Sequence, residues 1–373
     1  VVEGDLAQTK KDLATNLGVS IHGLVDAGYE HNFNQPNGET NNLRAWDQNG
    51  FQLTQGNLHV EKDGTVGFVT DINVGQVAEA ISGVTHYSAA PADVLTVNGG
   101  SGRWIDPTQY YLTYTVPVGD ARYFTAHNPG LHGIWLYDSD DPTFKITQTP
   151  VFKAESNLGI KADGQGFYAL SGAAPQSALT PFIQQIKSSG STFVYDDVTT
   201  SSMVLVRREA QLQGVSTVKV WECNSGCYDP NFYKQGGSAV NGTYASLLDL
   251  PYETDYKANP QLDKLVTDLG GLGNVDNNAI NSYVMALLFQ DAVNKAAATG
   301  TLDRQTLFAA LKDEHSFNAD GIIGTTDVGA RAPSDCQVLV QLQNGAWQRV
   351  DPVQPGTFDC SPANVATIKM NVS

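Results

Sequence analysis

The sequence predicts an α/β fold in which strands and helices alternate after an antiparallel, β-rich segment. The chain has 373 residues, and because one hydrophobic core rarely serves more than about 250 residues, two domains are expected. Between residues 20 and 124 the apolar positions recur at every second residue, which is typical of strands. After about residue 130 short apolar strands take turns with segments of helical period, which predicts a parallel sheet covered by helices.

The β-rich segment is predicted to be a meander that follows a short helix-like lead-in over residues 1–19. Its first strand begins at Ser20 and carries apolar residues at alternate positions. Two extended runs, 51–61 and 66–74, are joined by Lys62-Asp63-Gly64, which is typical of a hairpin. A further alternating run follows at 109–118. The first domain is therefore assigned to residues 1–124.

The second domain, residues 131–373, is predicted to have a βαβα order. A proline at the first turn and a glycine after the last turn are typical helix boundaries, and Asn344-Gly345 is a strong hairpin signal. The predicted elements in chain order are a strand at 134–137, a helix from Thr180-Pro181 to Gly190, a strand at 192–195, a helix from Ser202 to Gly214, a strand at 217–221, a helix at 278–297, a helix capped by Asp303, and a hairpin of 337–342 with 346–350.

The charge and hydropathy of the chain exclude several classes of protein. Lys and Arg number 22 against 39 Asp and Glu, which gives a net charge of −17 and argues against nucleic acid as a partner. No apolar run reaches about 18 residues, so a membrane-spanning helix is not expected. The sequence starts at Val1 without Met, so a processed or trimmed secreted chain is expected.

Four cysteines occur in two close groups, Cys223 with Cys227 and Cys336 with Cys360. An even number of cysteines in short loops favours two disulfides and an oxidising compartment. The alternative is a metal site of four thiolates. Its usual paired spacing of two intervening residues is missing, and no His lies near the cysteines.

Six segments of the second domain resemble the type 1 periplasmic substrate-binding proteins of ABC importers, in particular the branched-chain amino acid binders. They are SALTPFIQQIKSSGSTFVYDDVTTSSMVLVRREAQLQGV (177–215), VKVWECNSGCYDPNF (218–232), GGSAVNGTYASLLDLPY (236–252), NSYVMALLFQDAVNKA (281–296), TLDRQTLFAALKD (301–313) and GARAPSDCQVLVQLQNGAWQRV (329–350). The resemblance covers roughly residues 131–360. It implies Rossmann-like lobes that close around a small polar solute and deliver it to an ABC permease.

The resemblance also implies four ligand-binding residues. Thr199 and Thr200 follow a predicted strand and precede a helix, where hydroxyl and backbone N–H groups face a solute; the alternative is that they only cap the helix. Glu222 follows the next strand, where the family often places an acid for a ligand's ammonium group; the alternative is a solvated loop residue. Tyr283 matches a cleft tyrosine of the family; the alternative is packing in the core.

The first domain resembles a different family. Residues 19–75 and 108–119 are similar to the opening strands of an outer-membrane porin-like β-barrel family, including the helical lead-in before the first strand. Four or five strands cannot close a barrel, since the smallest single-chain examples have about eight. An open edge of the sheet is therefore expected to be covered, docked on the second domain or paired with another copy of the chain.

The function predicted from these features is capture of an amino acid or a similar small polar ligand, without chemistry, in the periplasm, cell envelope or secreted space. One alternative is a structural or envelope protein in which the α/β domain is a scaffold. A second alternative is a hydrolase, but no nucleophile elbow, HExxH, P-loop or GxGxxG occurs at a strand-to-helix turn. The chain is therefore predicted not to be an enzyme, and no cofactor or metal site is assigned.

Overall fold

The computed structural model describes residues 18–31, 49–62, 64, 66–75, 78, 105–138, 142–164, 167–169, 174–197 and 199–370. The chain divides into two compact units. Unit 1 comprises Val1–Tyr114 with Lys369–Ser373, and unit 2 comprises Thr115–Ile368. The helix-like lead-in predicted for residues 1–19 lies almost wholly outside the described residues.

The described strands are numbered β1 to β14 in chain order. Their bounds are Val19–His31, Asn49–Lys62, Val66–Val74, Ile105–Pro117, His132–Asp138, Lys161–Ala162, Phe167–Ala169, Phe193–Asp197, Val220–Cys223, Thr243–Leu247, Cys336–Gln343, Ala346–Asp351, Asp359–Cys360 and Val365–Met370. The described α-helices are numbered α1 to α9, with bounds Gly119–His127, Pro142–Asn157, Thr180–Ser189, Thr200–Leu212, Pro230–Gly236, Tyr252–Asp255, Pro260–Asp268, Asn277–Ala298 and Arg304–Lys312.

Unit 1 is built on an antiparallel meander. β1 pairs with β2, β2 with β3 and β3 with β4, in the order of the sequence. The predicted hairpin of β2 and β3 is confirmed, since Lys62 lies opposite Phe68. A β-bulge interrupts the pairing of β1 with β2 between Asp26 and Ala27. At this point β2 has one residue more than β1.

The two faces of the unit 1 sheet differ in polarity because side chains alternate along each strand. One face is polar, with the His59 ring 3.0 Å from Asp71 and 3.4 Å from Glu61. The hydrogen bond to Asp71, and then that to Glu61, raises the pKa of His59. The other face is apolar, and Phe51 and Val25, which lie on it, are 82% and 76% exposed.

Unit 2 contains the parallel sheet that the alternation of strands and helices predicts. β5, β8, β9 and β10 are parallel neighbours, and β11 and β12 continue the sheet antiparallel on the β10 side. The hairpin of β11 and β12 is confirmed: Asn344 and Gly345 both have positive φ, as its tight turn requires.

Helices cover both faces of this sheet, so alternate strand residues enter two different cores. Leu136 and Val194 belong to the larger core, while Trp135 and Phe193 belong to the smaller core on the opposite face. All four side chains are fully buried. Because these strands are buried on both faces, their sequences are short continuous apolar runs and not alternations of apolar and polar residues.

The structure corrects three details of the predicted elements. Helix α3 begins at Thr180, but the Thr180 hydroxyl donates to Glu209 Oε1 at 2.7 Å and does not cap its own helix. Helix α4 begins at Thr200, two residues before the predicted Ser202. Strand β9 is Val220–Cys223, so Glu222 lies inside the strand and not after it. The Asp303 cap of α9 is confirmed by a complete capping box.

Both predicted disulfides are confirmed, Cys223 with Cys227 and Cys336 with Cys360. The first closes the turn after β9, and the second joins β11 to β13. All four cysteines of the chain are therefore used, which removes the thiolate metal site that the sequence left open. Among the described helices, none combines the length and the hydropathy needed to cross a membrane.

Candidate functional site

The carboxyl ends of the parallel strands β5, β8, β9 and β10 meet at one edge of the unit 2 sheet. In open parallel sheets this edge forms the crevice that accepts ligands, because loops and helix N-termini converge there. Three loops at this edge are described: the start of α4 after β8, the disulfide turn after β9, and the segment from Leu248 after β10. We call this region the carboxyl edge.

Thr199 and Thr200 lie at the carboxyl edge, as the sequence predicts. The Thr199 hydroxyl caps α4 by accepting from the Ser202 N–H at 3.4 Å. The Thr200 hydroxyl donates to the Gly226 carbonyl oxygen at 2.7 Å and so joins the start of α4 to the turn after β9. The helix-capping alternative is confirmed for Thr199, and ligand binding by the two threonines stays a prediction.

Glu222 lies within β9 and is fully buried. It is in register with Tyr195 on β8 and Tyr244 on β10. Its strand neighbours Trp221 and Cys223 enter the larger core, so the Glu222 side chain points to the opposite face of the sheet. The alternative of a solvated loop residue is wrong, because the strand runs two residues further than its apolar run. Ligand binding by Glu222 stays a prediction.

Glu222 meets two other buried carboxylates on that face. Carboxylate oxygens of Asp120, Glu155 and Glu222 all lie within 4.8 Å of one another. The Trp135 indole N–H donates to Glu155, and Asp120 Oδ1 accepts from the Ala121 N–H at 2.8 Å. Three carboxylates are the ligand type that Ca²⁺ and Mg²⁺ prefer, so these residues could hold a cation. The three residues lie far apart in the sequence, and their meeting could not be foreseen from it.

Tyr283 lies on α8. Its hydroxyl donates to Gln261 Oε1 at 2.9 Å, and its half-buried ring packs against the larger core. These contacts join α8 to α7. The core-packing alternative is thereby confirmed for the ring, while contact with a ligand stays a prediction.

Asp249 is a carboxyl-edge residue that the sequence reasoning did not single out. It follows β10 by two residues and is 2% exposed. Asn277 Nδ2, at the start of α8, donates to its Oδ1 at 3.0 Å. Within the described residues its second oxygen, Oδ2, has no hydrogen-bond partner. Burial raises the pKa of Asp249 to about 7, against the opposing effect of the Asn277 hydrogen bond.

Two buried tyrosines stand beside Asp249. The rings of Tyr228 and Tyr252 meet edge to face, with centroids 4.7 Å apart. The Tyr228 hydroxyl accepts from the Glu253 N–H at 3.0 Å, whereas the Tyr252 hydroxyl has no hydrogen-bond partner in the part of the chain that the structure describes. Burial, and to a smaller extent the nearby carboxylates that include Asp249, raise the pKa of both tyrosines. An acid and a phenol at a strand end are a sequence signal that could have identified this cluster.

Two grooves are present elsewhere on unit 2. One of about 390 Å³ lies between α8 and residues 314–320, and one of about 330 Å³ lies beside His315 and Asp327. Neither groove is lined by Thr199, Thr200, Glu222 or Tyr283. In the second groove His315 Nδ1 is 2.7 Å from Asp327 Oδ1, and the hydrogen bond from the Ala330 N–H, followed by that with His315, lowers the pKa of Asp327.

Comparison with protein families gives a match over residues 71–346 to the family described as periplasmic binding protein. A comparison with the sequences of curated proteins finds no match. The resemblance of residues 1–124 to porin-like proteins is not supported by these findings.

Solved structures with a similar fold include a leucine-binding protein from Thermotoga maritima, with 18% identity, a TM-score of 0.52 and coverage of 64% of each chain. A branched-chain amino acid ABC transporter protein from Thermus thermophilus with bound valine has 14% identity and a TM-score of 0.54, covering 66% of this chain and 65% of that one. A fatty acid ABC transporter substrate-binding protein from Thermomonospora curvata has 14% identity and a TM-score of 0.54, covering 66% and 62%. The chain thus spans less than two thirds of the length of each of these proteins.

Proposed function

The chain belongs to the periplasmic binding protein family, and from this premise we propose that it is an extracytoplasmic solute-binding protein. Its ligand is an amino acid or a similar small polar compound with an ammonium group, bound at the carboxyl edge without chemistry. An ABC permease is the proposed recipient of the ligand. The matches are to binding proteins and not to enzymes, so the hydrolase alternative is not carried further.

The observation that carries the proposal is the environment of Asp249. A buried carboxylate needs a cation or several donors to be stable in its charged form. The only side-chain donor to it among the described residues is Asn277, which leaves Oδ2 open to another donor. An ammonium group supplies three N–H donors and a positive charge, which satisfies that oxygen.

The surroundings of Asp249 favour a ligand that has an apolar part as well as an ammonium group. The buried rings of Tyr228 and Tyr252 are close enough to Asp249 for its charge to contribute to the raised pKa of both hydroxyls, and they add apolar surface near the carboxylate. The Thr200 hydrogen bond holds the start of α4 against the turn after β9 on that side of the carboxyl edge. A leucine-binding protein and a protein with bound valine are among the similar structures, and both amino acids combine these two properties.

A titration calorimetry panel tests the proposal. Leucine, valine, glutamine and a short fatty acid are titrated into the wild-type chain and into Asp249→Asn. We expect binding of at least one amino acid to the wild type and a loss of affinity of about 30-fold or more in Asp249→Asn, because truncating one side of a buried charge pair costs about 2–5 kcal/mol. Asp313→Asn, on the exposed carboxyl end of α9, is the matched control and should bind as the wild type does.

Two outcomes count against the proposal. Binding of the fatty acid alone, with equal affinity in Asp249→Asn, would assign the site to a ligand without an ammonium group. The absence of heat with every member of the panel, from a protein whose circular dichroism shows that it is folded, would remove the binding function.

A further inference from the structure

We propose that the outer edge of β1 is an interaction surface for a second copy of this chain. In this dimer the two β1 strands pair antiparallel in a register centred on Leu24. The inference concerns unit 1 alone and does not depend on the proposed ligand.

The first argument is the open edge itself. β1 lies at the end of its sheet, and among the described strands its one neighbour is β2. The strand has 13 residues, and residues 22–29 are exposed. A long strand edge presents a row of unpaired N–H and C=O groups, and proteins usually protect such edges with Lys, Pro or a very short strand. β1 is long and contains neither Lys nor Pro.

The second argument is charge complementarity, which fixes the register. His22, Leu24 and Asp26 lie on the same face of β1 because side chains alternate along the strand. In an antiparallel pair centred on Leu24, His22 of each copy stands opposite Asp26 of the other copy. The pairing occurs twice because of the two-fold axis. The two Leu24 side chains, each 54% exposed in the single chain, meet at the centre between these His–Asp pairs.

Neighbouring registers lose this complementarity. Centring the pair on Val25 places Leu24 opposite Asp26 and leaves His22 opposite Gly28. Centring it on Gly23 places His22 opposite Leu24. Of these three registers, only the one centred on Leu24 combines an apolar pair with two His–Asp pairs. The register centred on Asp26 also opposes His22 to an acid, Glu30, but it places the two Asp26 side chains opposite each other. Directly opposed side chains are the main source of register preference between strands.

The apolar face of β1 fits the same register. Gly23 of one copy stands opposite Val25 of the other, so each valine side chain, 76% exposed in the single chain, packs over a residue without a side chain. Ile21 stands opposite Ala27 in the same way. On this face each large side chain of one copy lies opposite a small residue of the other copy, so the two strands can approach without a clash.

A cysteine placed at the centre of the register tests the proposal most sharply. Directly opposed residues have Cβ atoms about 4.5–5.5 Å apart, close to the separation that a disulfide spans. Since all four native cysteines are in disulfides, Leu24→Cys introduces the one free thiol. We expect mild oxidation to convert most of Leu24→Cys into a covalent dimer on a non-reducing gel.

Ser20→Cys is the matched control on the same face of β1. In the proposed register the two thiols introduced by Ser20→Cys, one in each copy, are offset by eight positions, or about 27 Å, and cannot bond. Equal cross-linking of the two variants would overturn the register. Failure of Leu24→Cys to cross-link at any protein concentration, with an unchanged circular dichroism spectrum, would overturn the dimer.

A charge exchange measures the same contact without a covalent bond. His22→Asp places like charges opposite each other twice and is expected to weaken dimerisation at least about tenfold by analytical ultracentrifugation. The double variant His22→Asp/Asp26→Lys restores opposite charges and should recover the dimer, while Asp313→Lys in unit 2 should leave it unchanged. Weakening by His22→Asp that the double variant does not reverse would contradict the proposed pairing.

Discussion

Side chains alternate between the two faces in both sheets of this protein, but the apolar side chains are exposed in unit 1 and buried in unit 2. In unit 1 the apolar face of the meander is open, and Phe51 on β2 is 82% exposed. In unit 2 helices cover both faces of the sheet, and Phe193 on β8 is fully buried. Two phenylalanines on two strands thus have opposite surroundings. The comparison teaches that alternation shows which face of a strand is apolar, whereas the connections between strands determine whether that face is covered.

Truncation of both phenylalanines to alanine tests whether their different burial gives different contributions to stability. Phe193→Ala removes a ring whose centroid is 5.4 Å from that of Trp135 and 6.1 Å from that of Phe124, and we expect it to lower the free energy of unfolding by about 4 kcal/mol. Phe51→Ala removes an exposed ring, so the expected loss is below about 1 kcal/mol. Urea denaturation followed by circular dichroism measures both. Equal losses would show that the Phe51 face is covered in solution.

The two disulfides of unit 2 are expected to stabilise the fold by different amounts. Their cysteines are separated by 24 residues in Cys336–Cys360 and by 4 in Cys223–Cys227. From the entropy of loop closure, replacement by alanines should cost about 3.5 kcal/mol for the longer loop and about 2 kcal/mol for the shorter loop. Denaturation of the two double-alanine variants tests this order, and a larger loss for the pair at 223 and 227 would contradict it.

The next largest loss of stability is expected from the buried ion pair of Arg349 and Asp255. The side chains of Arg349 and Asp255 are 3% and 0% exposed, and Asp255 Oδ2 also accepts from the Gly356 N–H at 2.7 Å. Asp255→Asn leaves the guanidinium buried without its counter-charge and is expected to lower the free energy of unfolding by about 3 kcal/mol. Asp263→Asn, which breaks the exposed pair with Lys257, is the control and should leave the denaturation midpoint nearly unchanged. Similar midpoints for the two variants would contradict the account.

Over a single pH unit, the smallest expected effect is a pH dependence that comes from Asp249. Its pKa is about 7 in the folded chain and near the ordinary value of 3.8 when unfolded. Between about pH 4 and pH 7 the folded state therefore binds the extra proton, and stability falls as the pH rises, by at most about 1.4 kcal/mol per pH unit. Asp249→Asn removes this pH dependence. The free energy of unfolding of the wild type minus that of the variant should therefore decline as the pH rises from about 4 to about 7. A difference independent of pH would contradict the buried, uncompensated carboxyl.

The sequence was sufficient for much of the fold. The hairpin at Asn344-Gly345, the cap at Asp303 and the pairing of the four cysteines depend on local chemistry that a few residues specify, and the structure confirms them. Helix α2 was not predicted, because Pro150 within it is a helix-breaking signal and its apolar positions are sparse. Glu222 was placed in a loop because a charged residue usually ends an apolar strand.

The candidate site was harder to predict from the sequence, since its residues meet only through the sheet. Thr199 and Thr200 were found because a strand end and a helix start coincide there. Asp249 was missed because its significance depends on Asn277, which lies 28 residues away. Tyr252 resembles any core aromatic until the structure shows its hydroxyl buried beside an acid. Local patterns identify strand ends, but tertiary contacts determine which of their polar groups lack partners.

The central claim is that a small ammonium compound binds at the carboxyl edge of unit 2. A titration of leucine into the ¹⁵N-labelled, deuterated chain, followed by TROSY NMR, tests it most directly. The account predicts saturable shifts of the amides around Thr200, Gly226, Asp249 and Asn277, and their loss in Asp249→Asn. Saturable shifts confined to the grooves beside Lys295 or His315 would contradict it.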